Sequence, residues 1–117
     1  MTVNILGTEY SIETHKWDED KTLKKNSYAA YCCDNKPLIV ISDMDDEDRF
    51  IFHDSTDKNN YYKSCLRHEI VHAFLNESGL SNNSNECERW ATNEEMVDWM
   101  AIQFPKILIA FKEVGCI

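Results

Sequence analysis

Basic residues are scarce in this chain. Twelve Lys and Arg stand against 21 Asp and Glu, a formal net charge of -9. Such a surface repels phosphate backbones and anionic lipids, so neither nucleic acid nor a membrane surface is an expected partner. No run of about 18 apolar residues occurs, which excludes a spanning helix of the usual kind. The first residues, 1–7, carry neither a basic patch nor a long apolar stretch, so no secretory leader is expected. Paired cysteine spacings are missing as well. The five cysteines are an odd number without an export signal, and are expected to be reduced thiols in the cytoplasm. Cys32 and Cys33 are adjacent, so they alternate across a strand and make a poor chelate. There is no internal repeat, and no low-complexity tract beyond the acidic run 43–48. That run has neither the glycine nor the terminal glutamate of a calcium loop, and reads as solvated rather than as a hard-cation site.

What is present is an ordinary globular balance. Of 117 residues, 43% are hydrophobic and 28% charged, enough for one domain with one modest core. Residues 3–5 and 10–14 alternate like strands, with Gly7 as the turn between them. Residues 18–25 read as one short exposed helix. Residues 28–33 and 38–41 form a second hairpin across the turn Asp34-Asn35-Lys36-Pro37. Residues 60–78 turn helical, with the stripe Leu66, Ile70, Ala73, Asn60 as cap and Gly79 as stop. Residues 81–85 read as a polar loop. A second long helix is expected over 92–104, opened by a Thr92/Glu95 capping box. Pro105 ends or kinks it, and 106–113 continue as a short helix. The fold class expected is α+β: a small antiparallel sheet packed on two main helices.

The chemistry sits in His68-Glu69-Ile70-Val71-His72. Two histidines four apart on a helix share a face, so two imidazole nitrogens can reach one ion. Glu69 lies about 100° from His68, where it can reach a water without ligating the metal. The pair lies opposite the Leu66/Ile70/Ala73 stripe. A catalytic zinc needs a third ligand and an open position. No histidine follows His72, and position 78 is Ser78. His15 and His53 lie upstream and read as surface or structural residues, which leaves the downstream carboxylates. Glu94 and Asp98 are one turn apart on one face. Glu94 can then ligate while Asp98 accepts the N–H of a ligand histidine. Glu95 is favoured less, as the capping-box partner, and Glu86 and Glu88 less again. Cys65 falls on the His68/His72 side and reads as a small buried thiol.

His68-Glu69-x-x-His72 followed by Asn93-Glu94-x-x-x-Asp98 resembles the gluzincin arrangement of thermolysin-like zinc peptidases. Residues 28–105 resemble the ImmA/IrrE family of small metallopeptidases, encoded by phages and mobile elements. The family's third-ligand glutamate, the polar residue one turn on, the aromatic-Ala pair and the proline are matched by Glu94, Asp98, Met100-Ala101 and Pro105. Met100 replaces the usual aromatic, and Cys65-Leu66-Arg67 replaces the usual residues before the first histidine. The resemblance implies a zincin-like domain with Zn2+ held by His68, His72 and Glu94, Glu69 as general base and Asp98 behind a histidine. The substrate is expected to be a protein or peptide. Tyr31, Tyr61, Tyr62 and His53 are the residues of the right type to stabilise an oxyanion. The strand 38–41 reads equally as a peptide-binding edge or as a packed core strand. Trp17, Trp90 and Trp99 are expected as core or half-buried anchors, and Met96, Val97, Met100 and Phe104 as helix-packing residues. Two other readings stand beside the enzyme: a zinc-bearing interaction protein without hydrolysis, and a metal-free acidic decoy or inhibitor.

Overall fold

The computed structural model describes residues 1–83 and 89–113, the side chains of 106, 107 and 109–113 excepted. Glu86 and Glu88 lie outside the described residues. The first hairpin forms as its alternation requires. Strand β1 (Thr2–Ile5) pairs antiparallel with β2 (Thr8–His15), Val3 opposite Tyr10. The turn between them uses positive φ at Leu6 and Gly7. Helix α1 (Lys21–Asn26) is capped by Asp20, whose side chain accepts the backbone N–H groups of Thr22 and Leu23. It is less exposed than its polar sequence implies, because Leu23 is fully buried under the sheet.

The second hairpin also forms. Strand β3 (Ala30–Cys32) pairs antiparallel with β4 (Leu38–Ser42), Tyr31 opposite Val40. The sheet is nevertheless mixed rather than antiparallel, in the order β1-β2-β4-β3. Strand β4 lies parallel to β2, with Ile12 opposite Ile39. The connection through α1 and β3 is long enough for that crossover, and Leu38-Ile39-Val40-Ile41 has no polar face to leave in water. Every residue of β4 is buried. Ile39 and Ile41 meet Ile5, Tyr10, Ile12 and Ala73 on one side, and Leu38 and Val40 meet Leu23 on the other. The strand is thus interior, which rules out a peptide-binding edge at β4; the edges are β1 and β3.

Helix α2 (Ser55–Glu77) starts earlier than the apolar stripe indicates. Asp54 caps it by accepting the Asp57 N–H at 2.8 Å, so Asn60 is interior. Its end matches expectation, with Gly79 at φ +79. The helix has two apolar faces. Leu66, Ile70 and Ala73 pack on the sheet, and Val71 and Leu75 pack on Ala91, Met96 and Val97. The second main helix therefore packs on α2 rather than on the sheet.

A short α3 (Leu80–Asn83) occupies part of the expected loop, and a 3-10 turn (Trp90–Thr92) precedes α4 (Glu94–Glu113). The Thr92/Glu95 capping box does not form. Thr92 belongs to the 3-10 turn and donates its hydroxyl to the Arg89 carbonyl, while Asn93 accepts the Met96 N–H at 2.9 Å. Helix α4 runs through Pro105 without ending: the proline costs it one backbone donor, but helix-forming residues flank it on both sides. Met100, Phe104 and Trp99 are exposed, Trp99 by 58%, because α4 turns its Met96/Val97/Ala101 side inward, and Trp90 of the 3-10 turn is exposed as well. Trp17 is the half-buried anchor expected, with the Arg49 guanidinium 4.5 Å from its ring centre. No helix among the described residues is long and apolar enough to cross a membrane.

Candidate metal centre

Helices α2 and α4 bring together three side chains that could ligate a metal. One turn of α2 separates His68 from His72 and sets their Nε2 atoms 3.0 Å apart. Asn93 caps α4 so that Glu94 is its first residue, and Arg67 Nε donates to the Ala101 carbonyl at 3.2 Å, tying the two helices. Glu94 then reaches both imidazoles. Its Oε2 lies 2.9 Å from His68 Nε2 and its Oε1 3.2 Å from His72 Nε2. One ligand atom from each residue lies within 4.8 Å of the others, and this is the one such group among the described residues. Glu95 is exposed and outside it. Cys65 is also outside it, packed against the core, and burial raises its thiol pKa.

The side chains of this cluster could hold a metal ion. On the other edge of its ring, His68 Nδ1 lies 2.5 Å from Asp98 Oδ1. A neutral His68 donating that N–H to Asp98 presents a lone pair at Nε2. Burial lowers the His72 pKa, which favours the neutral imidazole, although Glu94 opposes the shift. Two imidazole lone pairs and a carboxylate would then face one point, where a metal ion or a proton offsets their repulsion. Two imidazole nitrogens and a carboxylate oxygen form a set that could hold a metal ion.

Glu69 lies beside the triad and is 6% exposed. Burial pushes its carboxyl up to about 7. His68 and a hydrogen bond from the Cys32 backbone N–H oppose the shift, while Glu94 and Asp98 add to it. A carboxyl poised near neutrality can take up or release a proton at pH 7. That bond also joins the centre to the sheet edge. Ala29 and Cys33 face β4, since the Ala29 carbonyl accepts from Ser42 and the Cys33 N–H donates to Leu38. Alternation turns the backbone groups of Ala30 and Cys32 outward, toward the cleft.

That cleft, of about 730 Å³, is lined by His68, Glu69, His72, Glu94 and the β3 segment. The expected oxyanion residues fare differently. Tyr31 lines the cleft, but its hydroxyl donates to Asp20 at 3.0 Å, and burial and Asp20 raise its pKa to about 12. Tyr61 packs against Phe50 and Phe52, Tyr62 against the core, and His53 lies in the loop before α2. His15 is bonded to Asp20 and Glu13, each at 2.7 Å, and takes no part. Asp45 is engaged by Lys58, and the acidic run forms no ligand group.

Tyr28, Asn76 and Arg89 line the cleft and were not anticipated from sequence. Asn76 continues the His68/His72 row by one more turn, a spacing that could have revealed it. Arg89 had no such signal, because a loop carries no periodicity. No family model, curated protein or solved structure matches this chain.

Proposed function

We propose that the protein is a zinc-dependent metallopeptidase of the minimal gluzincin, ImmA/IrrE-like kind, with α2 as its HExxH helix and a protein or peptide as substrate. One observation carries this reading: the convergence of His68 Nε2, His72 Nε2 and the Glu94 carboxylate, with buried Glu69 alongside. His68, His72 and Glu94 would hold the ion, leaving a position open. Zinc, when bound, supplies a Lewis acid that polarises a carbonyl and lowers the pKa of water from 15.7 to about 7.

The remaining steps belong to the chain's own residues. Glu69 takes a proton from the attacking water on its carboxylate and returns it to the leaving amine. Asp98 holds the His68 Nδ1 proton and so keeps Nε2 available to the metal. An extended substrate would pair with the outward backbone groups of Ala30 and Cys32, adding a strand to the β3 edge. This brings its amide past Glu69, which the Cys32 N–H already orients.

The test begins with metal analysis of protein purified without chelator or affinity-tag nickel. One zinc per chain and hydrolysis of an unfolded protein substrate, lost on chelation and restored by zinc, are expected. Absence of stoichiometric metal would sink the reading and favour the metal-free decoy. Zinc without hydrolysis would leave a zinc-bearing interaction protein.

A further inference from the structure

The metal cleft does not end at the triad. A second cleft, of about 680 Å³, shares Asp34, Asn35, Asn76, Arg89 and Thr92 with it as a common wall. An extended chain passing the triad can therefore continue into this second space. The two differ in charge. Arg89 is the one Lys or Arg among the residues lining the metal cleft, which also holds Asp34, Glu69 and Glu94. The second cleft adds Lys36. Of its two carboxylates, Asp34 belongs to the shared wall, and Glu77 is engaged on both oxygens: Oε1 accepts the Tyr10 hydroxyl at 2.9 Å and Oε2 the Thr8 hydroxyl at 2.8 Å. The second cleft thus sets two cations against two carboxylates, where the metal cleft sets one against three.

Arg89 is held there by its backbone. It sits at φ 55, ψ 42, a left-handed conformation that side chains other than glycine seldom adopt. Its carbonyl accepts both the N–H and the hydroxyl of Thr92, at 2.8 and 2.9 Å, which locks the turn. Among the described residues no carboxylate forms an ion pair with its guanidinium. A guanidinium binds a carboxylate through two parallel N–H donors, a geometry that neutral amides do not match.

We infer that the substrate carries a carboxylate, seated on Arg89 beyond the metal ligands, with Lys36 as the outer charge. The carboxylate can be an acidic side chain or a free C-terminus. The inference rests on the peptidase reading for its substrate class, but its contacts involve none of the three metal ligands.

The test uses four fluorescein-labelled hexapeptides, Ala-Phe-Ala-Ala-X-Ala. X is Glu or Gln, and the C-terminus is free or amidated. Binding to the full chain carrying Glu69→Gln, with zinc and with chelator, is read by fluorescence anisotropy. At least one charged probe is expected to bind about tenfold more tightly than the Gln amide. Preference for Glu in the amidated pair assigns a side chain; preference for the free end in the Gln pair assigns the terminus. Arg89→Gly removes the guanidinium yet suits the positive φ, so the turn should persist, and it should abolish the preference. Arg89→Lys should keep part of it. Equal binding of all four probes, undetectable binding included, overturns the inference, as does a preference unchanged in Arg89→Gly. Zinc stoichiometry is measured on the same samples. A charge preference without zinc defeats the metal reading alone, and zinc without the preference defeats this inference alone.

Discussion

Asp98 Oδ1 lies 2.5 Å from His68 Nδ1, one turn along α4 from Glu94, which faces the opposite nitrogen of the same ring. In the proposed centre this carboxylate would hold a proton on Nδ1 and leave Nε2 to the metal. Asp98→Asn can offer an N–H donor in place of the acceptor and lets the ring turn. Zinc affinity should fall by about 10- to 100-fold, measured by competition with a chromophoric chelator. Unchanged affinity would remove Asp98 from the centre.

Glu94→Ala should weaken zinc binding far more than Glu95→Ala. The first deletes a carboxylate whose two oxygens lie 2.9 and 3.2 Å from the two imidazoles, and the second touches only an exposed first-turn charge. The same chelator competition ranks them, and the reverse order would reassign the ligand.

Glu69→Gln keeps the size of the side chain and the contact from the Cys32 N–H but cannot take a proton at its amide. Zinc should stay bound while hydrolysis drops by about 10²- to 10⁴-fold, the range for losing a general base. Full activity in this variant would mean that another group moves the proton.

His15 bridges Asp20 and Glu13, and these hydrogen bonds raise its pKa above 6.5. For a raised histidine, the stabilisation is complete below 6.5 and is lost as pH climbs through the raised value. Asp20 behaves oppositely. Burial works to raise it, but bonds from the Leu23 N–H, His15, Tyr31 and the Thr22 N–H outweigh burial and hold it below 3.8. Its contribution is present above 3.8 and fades as pH falls through the depressed value. Urea unfolding of wild type and His15→Gln should therefore differ more at mildly acidic than at alkaline pH. A gap that widens with pH would contradict this sign.

Ile39 is fully buried at the centre of β4, between β2 and β3 and under α2. Ile39→Ala should cost about 2–5 kcal/mol in urea unfolding, through lost burial and the cavity left behind. A cost typical of a surface site would show that β4 is not interior.

The backbone periods determine a good deal locally. Four residues along a helix bring His68 and His72 to one face, and the same spacing aligns Glu94 with Asp98. Alternation marks β1 and β2, and the turn Asp34-Asn35-Lys36-Pro37 between two apolar runs marks the β3/β4 hairpin. Even the interior position of β4 was available in principle, because Leu38-Ile39-Val40-Ile41 has no polar side to expose. Other local signals misled. Thr92 and Glu95 have capping-box spacing, but Asn93 is the better placed acceptor once Thr92 enters the 3-10 turn.

Contacts distant in sequence decided the rest. The parallel pairing of β2 with β4 depends on where α1 sends the chain. Glu94 prevails over Glu95 because Val71 and Leu75 of α2 pack against Met96 and Val97, which sets the rotation of α4 about its axis. The Tyr31 hydroxyl turns to Asp20, and Arg89 reaches the wall between two clefts, through neighbours that no spacing rule encodes. Helix and strand periods follow from bonds a few residues apart, so they can be read along the chain. The meeting of one face with another follows from how the whole core closes.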